Sequence, residues 1–433
     1  MINYALNTIF YSWLAYLFAQ YVTVRQIKVK KNTQKCPVQL ESMYTTEIFE
    51  KARHYSIDKL QFGIVKSLYS KIRDSYILYY GILPIVWNFC KTDNDLLSTS
   101  YLIIFSSLVG LIEDLPWKYY STFVIEEKHG FNKQTLSFFI KDTIKSFLIG
   151  TLISVPIFTT LVYIIEIGGE NFYFYTSIFL FIAMMFLMHI YPTWIAPLFD
   201  NYQELPESEL KKKIYALASR INFPLKKLFV VEGSARSSHS NAYMYGFGSN
   251  KRIVLYDTLI KGFVFPGKEE KDATTKGCEK DEEIEGVLAH ELGHWKFGHT
   301  IIHLSFSQIN IFAMFFLFSQ MIGVDEIYQS FSFARNECPI IMKMYLIFSV
   351  ILEIYSDIMG LIQTVMTRIF ENQADRFAVE LGYGKYLQSS LIILSLDNLS
   401  FPVDDWLYSW IHFSHPTVLE RIESIDKEMK KSN

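Results

Sequence analysis

The chain has 433 residues, 50% of them hydrophobic and 16% aromatic against 20% charged, and a formal net charge of −3. So apolar a composition fits a membrane protein with sizeable water-exposed parts. The lack of a basic excess excludes nucleic acid as a partner, because phosphates would go unneutralised.

Apolar stretches long enough to cross a bilayer run through residues 4–24, 75–90, 98–117, 144–165, 172–198, 300–323 and 339–366, a count of seven. The first lacks a basic region in Met1-Ile2-Asn3-Tyr4 and a small-residue cleavage site at Gln20-Tyr21-Val22-Thr23, so it reads as an anchor rather than a signal peptide. Arg25, Lys28, Lys30, Lys31 and Lys35 then place the following loop in the cytosol and the N-terminus in the lumen. Counting alternately, loops 91–97, 166–171 and 324–338 are lumenal, and they carry only Lys91 and Arg335. Residues 118–143, 199–299 and 367–433 are cytosolic. Glu113, Asp114, Glu353 and Asp357 inside the spans are tolerable if they face water or pair between helices.

Between the fifth and sixth spans, Glu207 to Asn222 has helical spacing with Leu210, Ile214, Leu217 and Ile221 on one stripe. Lys227–Val231, Asn241–Gly246 and Arg252–Tyr256 are β-prone and predict a small sheet. Residues 266–283 are charged and aperiodic, which predicts a flexible solvated loop. Cys278 in this run, like Cys36, Cys90 and Cys338, lies far from the other cysteines and reads as a free thiol. Helix signals resume at Glu282-Glu283-Ile284.

That helix carries His290-Glu291-Leu292-Gly293-His294. Two imidazoles four residues apart share one helix face and can grip one zinc ion, with Glu291 between them as candidate general base. A catalytic zinc takes a third protein ligand and keeps one position open for water. Glu371 is the best candidate, and Asp375, four residues on and facing the same way, suits a carboxylate that accepts the outer N–H of a ligand histidine. Both halves of this site emerge on one side of the membrane. The chain thus divides into spans one to five (1–198), a cytosolic-side domain with the sheet and zinc helix (199–299), spans six and seven (300–366) and a C-terminal region (367–433).

Further motifs are Phe123–Lys133 (FVIEEKHGFNK), Tyr191–Phe199 (YPTWIAPLF), Ser237–Tyr243 (SSHSNAY), Phe413–Pro416 (FSHP) and the pair Glu420-Arg421. Together with the zinc motifs, these span nearly the whole chain, which resembles the type I CAAX prenyl endopeptidases of the a-factor-converting type. The resemblance implies a mainly α fold, a barrel of seven transmembrane helices enclosing a chamber, with a cytosolic-side α+β metalloprotease domain. It implies one zinc per chain on His290, His294 and Glu371, with Glu291 moving the proton. It implies that Asn241 and Ala242 lie on the edge strand that holds substrate, that His415 donates to the developing oxyanion, and that Arg421 attracts the substrate's carboxylate. The reaction implied is removal of the last three residues from a farnesylated or geranylgeranylated protein. Membrane lipids surround such a chain, and a chamber built by one chain requires no second copy, so a monomer is expected. Lys430 and Lys431, three and two residues before the last position, Asn433, match a dilysine retrieval signal of the endoplasmic reticulum membrane.

Three rival readings differ in what they predict. A site-2-type protease embeds its zinc helix in an apolar span, against the charged approach at 279–285. A membrane quality-control protease shares the ligands. A zinc-stabilised scaffold leaves Glu291 without a task.

Overall fold

The computed structural model describes residues 3–41, 43–246, 248 and 250–432. Met1, Ile2 and Asn433, on which parts of the signal-peptide and retrieval-signal readings rest, lie outside them. Helix α1 (Tyr4–Asn32) packs along α2 (Thr46–Tyr79), with Asn3 and Thr45 accepting from the first-turn N–H groups of each. There follow α3 (Ile82–Cys90), α4 (Asp95–Tyr120), α5 (Leu136–Ile167), α6 (Phe172–Ile190) and α7 (Glu209–Arg220). After a sheet come α8 (Asp281–Lys296), α9 (His299–Met321), α10 (Asp325–Ser330), α11 (Ile340–Tyr345) and α12 (Glu353–Glu380). The chain closes with α13 (Gly384–Asp397), α14 (Trp406–His412) and α15 (Val418–Ser432).

The expected count of seven spans is not reached on length and apolarity. Among the described residues four segments are long and apolar enough to cross a membrane: Asp95–Glu126, Leu136–Ile167, Gly169–Leu198 and His299–Met321. A fifth is added if Ile340–Ile351 and Glu353–Glu380, bent by 62° at their junction, count as one broken span. The expected span 75–90 is interrupted: α2 ends at Tyr79, and Gly81 sits at φ +62° where an added Cβ would lie 2.6 Å from Ser332 Oγ. Helix α1 runs eight residues past the apolar stretch, through Arg25, Lys28, Lys30 and Lys31 to Asn32.

Charge pairing accounts for three of the four acids expected inside the spans, Glu113, Asp114 and Glu353, while Asp357 is exposed. Glu113 and Asp114 on α4 meet Arg73 at 2.7 Å and Lys66 at 3.0 Å from α2, and Lys71 lies 3.8 Å from Glu353. The side chains of Lys66, Arg73, Glu113 and Asp114 stay 31–47% exposed, so these pairs border a hydrated interior among the helices rather than a dry seam. Helices α4, α5, α6 and α9 also expose many Leu, Ile, Phe and Tyr side chains.

Loops 91–97, 166–171 and 324–338 gather at one end around a core of Trp87, Ile165, Phe172, Phe318, Ile327 and Phe333. At the other end lies a four-stranded sheet in the order β1-β2-β4-β3, made of β1 (Tyr202–Glu204), β2 (Leu225–Val231), β3 (Ala242–Tyr245) and β4 (Lys251–Tyr256). β1 was not expected. β2 and β4 pair in parallel, and β3 is an edge strand pairing antiparallel with β4 alone. The predicted stripe of α7 packs here, with Leu210, Ile214, Leu217 and Ile221 joining Leu228, Val230, Ile253 and Leu255 in one core with Leu288 and Leu292 of α8.

The run 266–283 departs from the expected solvated loop. Its second half is pinned: Cys278 N–H donates to Leu259, Lys261 N–H to the Cys278 carbonyl, and Gly277 N–H to Asp397 Oδ2 at 2.8 Å. Cys278 is buried, and all four cysteines are free thiols.

Candidate active site

Helices α8 and α12 cross at the point where Gly293 faces Ala374. A Cβ on Gly293 would stand 2.9 Å from Ala374 Cα, so hydrogen at this position lets the two backbones approach and brings the imidazoles of one to the carboxylates of the other. His290, His294 and Glu371 converge as a result, with donor atoms within 4.8 Å of one another.

The spacing of these donors is informative. His290 Nε2 lies 3.2 Å from His294 Nε2 and 3.3 Å from Glu371 Oε2, and His294 Nε2 lies 3.2 Å from Glu371 Oε1. Ligands about 2.0–2.1 Å from a tetrahedral zinc are separated by about 3.3 Å. Glu371 Oε2 is moreover fully buried without a hydrogen bond, although His415 Nδ1 is 2.8 Å away. Two imidazole nitrogens and a buried carboxylate aimed at one point fit a cation that would take the place of their protons, and an open tetrahedral position is what a catalytic rather than structural zinc site has.

Each of the two histidines has a different outer partner. His290 Nδ1 is 2.8 Å from Asp375 Oδ1, and Arg421 donates to both oxygens of Asp375 at 2.9 and 2.5 Å. Burial and the Arg421 charge oppose protonation of His290, but the Asp375 and Glu371 carboxylates beside its two ring nitrogens outweigh them and raise its pKa to about 9 in the metal-free site. His294 Nδ1 lies 2.9 Å from His299 Nδ1, whose Nε2 lies 2.8 Å from Gln373 Oε1. His299 stacks on Phe370 with ring centroids 4.1 Å apart.

Glu291, half-buried, lies between the ligands on α8. The His415 side chain is 60% exposed at the mouth. Its backbone carbonyl accepts from Arg368 at 3.2 Å, and Arg368 also grips Glu420 at 2.9 Å, so α12 carries the segment as well as the ligand. Ala242 is buried against the α8 core, while Asn241 is exposed with Oδ1 accepting from Ala242 N–H at 2.8 Å; the outer side of β3 is open. Arg421 is buried, with its Nε and Nη2 engaged by Asp375 and its Nη1 3.8 Å from Glu371 Oε2. His299, Gln373 and Arg368 were not anticipated. The cue for His299 is a third histidine five residues after His294, and for Gln373 its place between Glu371 and Asp375.

A family model described as CAAX prenyl protease N-terminal, five membrane helices, matches residues 26–201, and one described as peptidase family M48 matches residues 204–429. A CAAX prenyl protease 1 homolog of Taenia solium is 45% identical over 97% of this chain and 94% of that protein. Its Homo sapiens counterpart is 42% identical over 97% and 94%. The crystal structure of S. mikatae Ste24p superposes with a TM-score of 0.89 at 36% identity, covering 98% of this chain and all of that one.

Proposed function

The chain belongs to the CAAX prenyl protease branch of peptidase family M48, and from that premise we propose that it is a zinc endopeptidase releasing the C-terminal tripeptide of farnesylated or geranylgeranylated proteins. The observation that carries the reading is the spacing of 3.2–3.3 Å among the donor atoms of His290, His294 and Glu371. Zinc bound there supplies Lewis acidity, polarising the scissile carbonyl and acidifying a water.

The chain's own groups do the rest. Glu291 takes the proton of the attacking water and returns it to the leaving amine, a transfer between one carboxylate and two nearby atoms. Asp375, held by Arg421, keeps the proton of His290 on Nδ1 and leaves Nε2 free as a ligand. The His299 and Gln373 pair does the same for His294. His415, with Nδ1 toward Glu371, offers its other ring nitrogen as a donor to the carbonyl oxygen as charge develops there. The open edge of β3, beginning at Asn241 and Ala242, holds the substrate extended through backbone hydrogen bonds whatever its sequence.

The protein is a multi-pass membrane protein. We place it in the endoplasmic reticulum membrane, surrounded by lipid, with the N-terminus lumenal and the site and C-terminus cytosolic. The lysines after α1 support the orientation, and Lys430 and Lys431 support the location. Every group of the site comes from one chain, which supports a monomer. The four-part division at 198, 299 and 366 is kept as a description of function, although α12 runs unbroken across the last boundary.

The test is cleavage of matched farnesylated and unmodified peptides by the purified protein in detergent, with Glu291→Ala as control. Prenyl-dependent release of the tripeptide, absent in the variant, is expected. Equal cleavage of both peptides would point to a general quality-control protease and overturn the proposed specificity.

A further inference from the structure

A cut three residues from a chain end can be registered at the prenylated cysteine before it or at the end beyond it, and a terminal carboxylate calls for a cation. Arg421 is buried, with Nε and Nη2 on Asp375 and Nη1 3.8 Å from Glu371 Oε2, so its charge lies at the metal site itself and not three residues beyond it. Beside the metal ligands lies a cavity of about 580 Å³ whose lining includes His415, Tyr55, Lys59, Asn398, Lys30 and Asp404. Lys30 and Asp404 neutralise each other at 2.9 Å and are both buried. Lys59 is exposed, its Nζ standing 4.0 Å from the Tyr55 ring centre, and among the described residues it makes no ion pair. The nearest acid acting on it, Glu126, is taken by the Tyr55 hydroxyl at 2.6 Å and by His239 at 3.6 Å.

The sheet sets the direction. A peptide added antiparallel to β3, the better-bonded arrangement, runs its C-terminus toward the start of that strand. There His239 Nδ1 contacts Asn398 Oδ1 at 2.8 Å and Ser240 N–H reaches the same oxygen at 3.4 Å. Asn398 and Tyr55 belong to the cavity wall, so the path off β3 leads into it. Three extended residues reach about 10 Å, the width of a sphere of this volume.

Building on the protease reading above, we propose that Lys59 binds the C-terminal carboxylate of the substrate and so sets the cut at three residues from the end. The cavity is then a subsite for the departing tripeptide, open to varied side chains because its specific contact is with the terminus.

The test compares two farnesylated peptides of one sequence, one ending in a free acid and one in an amide, cleaved by the full-length wild type, Lys59→Met and Lys59→Arg. The wild type is expected to favour the acid by about tenfold or more in kcat/KM, as befits a charge-assisted bond. Lys59→Met is expected to bring the two peptides level, and Lys59→Arg to restore part of the difference. A Lys59→Met enzyme that keeps the wild-type ratio, or a wild type that shows none, overturns the inference. Binding of the free tripeptide acid and amide to the Glu291→Ala protein, with and without Lys59→Met, is read alongside. Failure of the wild type to cleave either farnesylated peptide strikes the proposed function alone, since a Lys59-dependent preference for the acid in binding still upholds this subsite and its absence still removes it.

Discussion

Metal ligation through Nε2 would oblige each histidine to carry its proton on Nδ1, and His290 and His294 are placed to meet that demand by different means. For His290 the acceptor is a carboxylate, Asp375. For His294 it is the lone pair of His299 Nδ1, which exists only while His299 carries its own proton on Nε2, where Gln373 Oε1 accepts it. Gln373→Leu removes the last acceptor and frees His299 to turn its proton inward, against His294. We expect metal retention to fall about 10- to 100-fold, measured by competition with a zinc chelator. Unchanged retention would show that His299 is only packing. Glu291→Gln should do the opposite, keeping the metal while kcat drops by about 10²–10⁴-fold, and loss of metal from this variant would argue that Glu291 has another task. The convergence of His290, His294 and Glu371 was legible in the sequence because each half is an i, i+4 pair on one helix. The His299 and Gln373 pair was not, because its meaning depends on which helix faces which.

Helices α8 and α12 owe their approach to the absence of one methyl group. Gly293→Ala would place a Cβ 2.9 Å from Ala374 Cα and 3.2 Å from Phe377 Cβ, and backbone cannot yield as a flexible side chain can. The helices must part by some tenths of an ångström, for a stability loss of about 1–3 kcal/mol. The donor spacing lies on the same crossing, so metal affinity and activity should fall more than the melting temperature. A variant that melts lower with wild-type metal affinity would separate the crossing from the site. Elements with a strong period were read correctly, as α7 and β2 to β4 show. Those settled by tertiary pairing were not: β1 is three residues held by β2, and the 266–283 run is charged yet fixed through Asp397. The stretch 75–90 is apolar yet broken where Gly81 meets Ser332.

Over the whole molecule, the two ends of the chain are fastened together beside the site, a relation no local pattern encodes. Gln26 and Lys30 of α1 bond Asp404, and Arg25 donates to Asp405 Oδ2 at 3.1 and 2.9 Å across 380 residues. The same Asp405 caps α14 through Oδ1, and α14 leads directly into the segment bearing His415. Lys30 is buried, so Asp404→Asn leaves an uncompensated charge and should cost about 3–5 kcal/mol, read as a lowered melting temperature. Asp405 adds a dependence on pH. Burial works against its ionisation, but the Arg25 hydrogen bond and the Tyr408 and Leu407 N–H groups outweigh it and hold the carboxyl below the usual carboxylate range. A carboxyl depressed in the folded state binds its proton more tightly in the unfolded one. Its contribution to stability is therefore complete above the unfolded value of about 3.9 and is lost as pH falls through the lower folded value. Asp405→Asn keeps an oxygen for the α14 cap and removes only the charge that Arg25 meets. The difference in melting temperature between wild type and Asp405→Asn should then be constant from pH 7 to about pH 5 and shrink below about pH 4. A difference that persists unchanged into acid would mean that the charge, and with it the tie between the first helix and the last segment of the site, is not what Asp405 contributes.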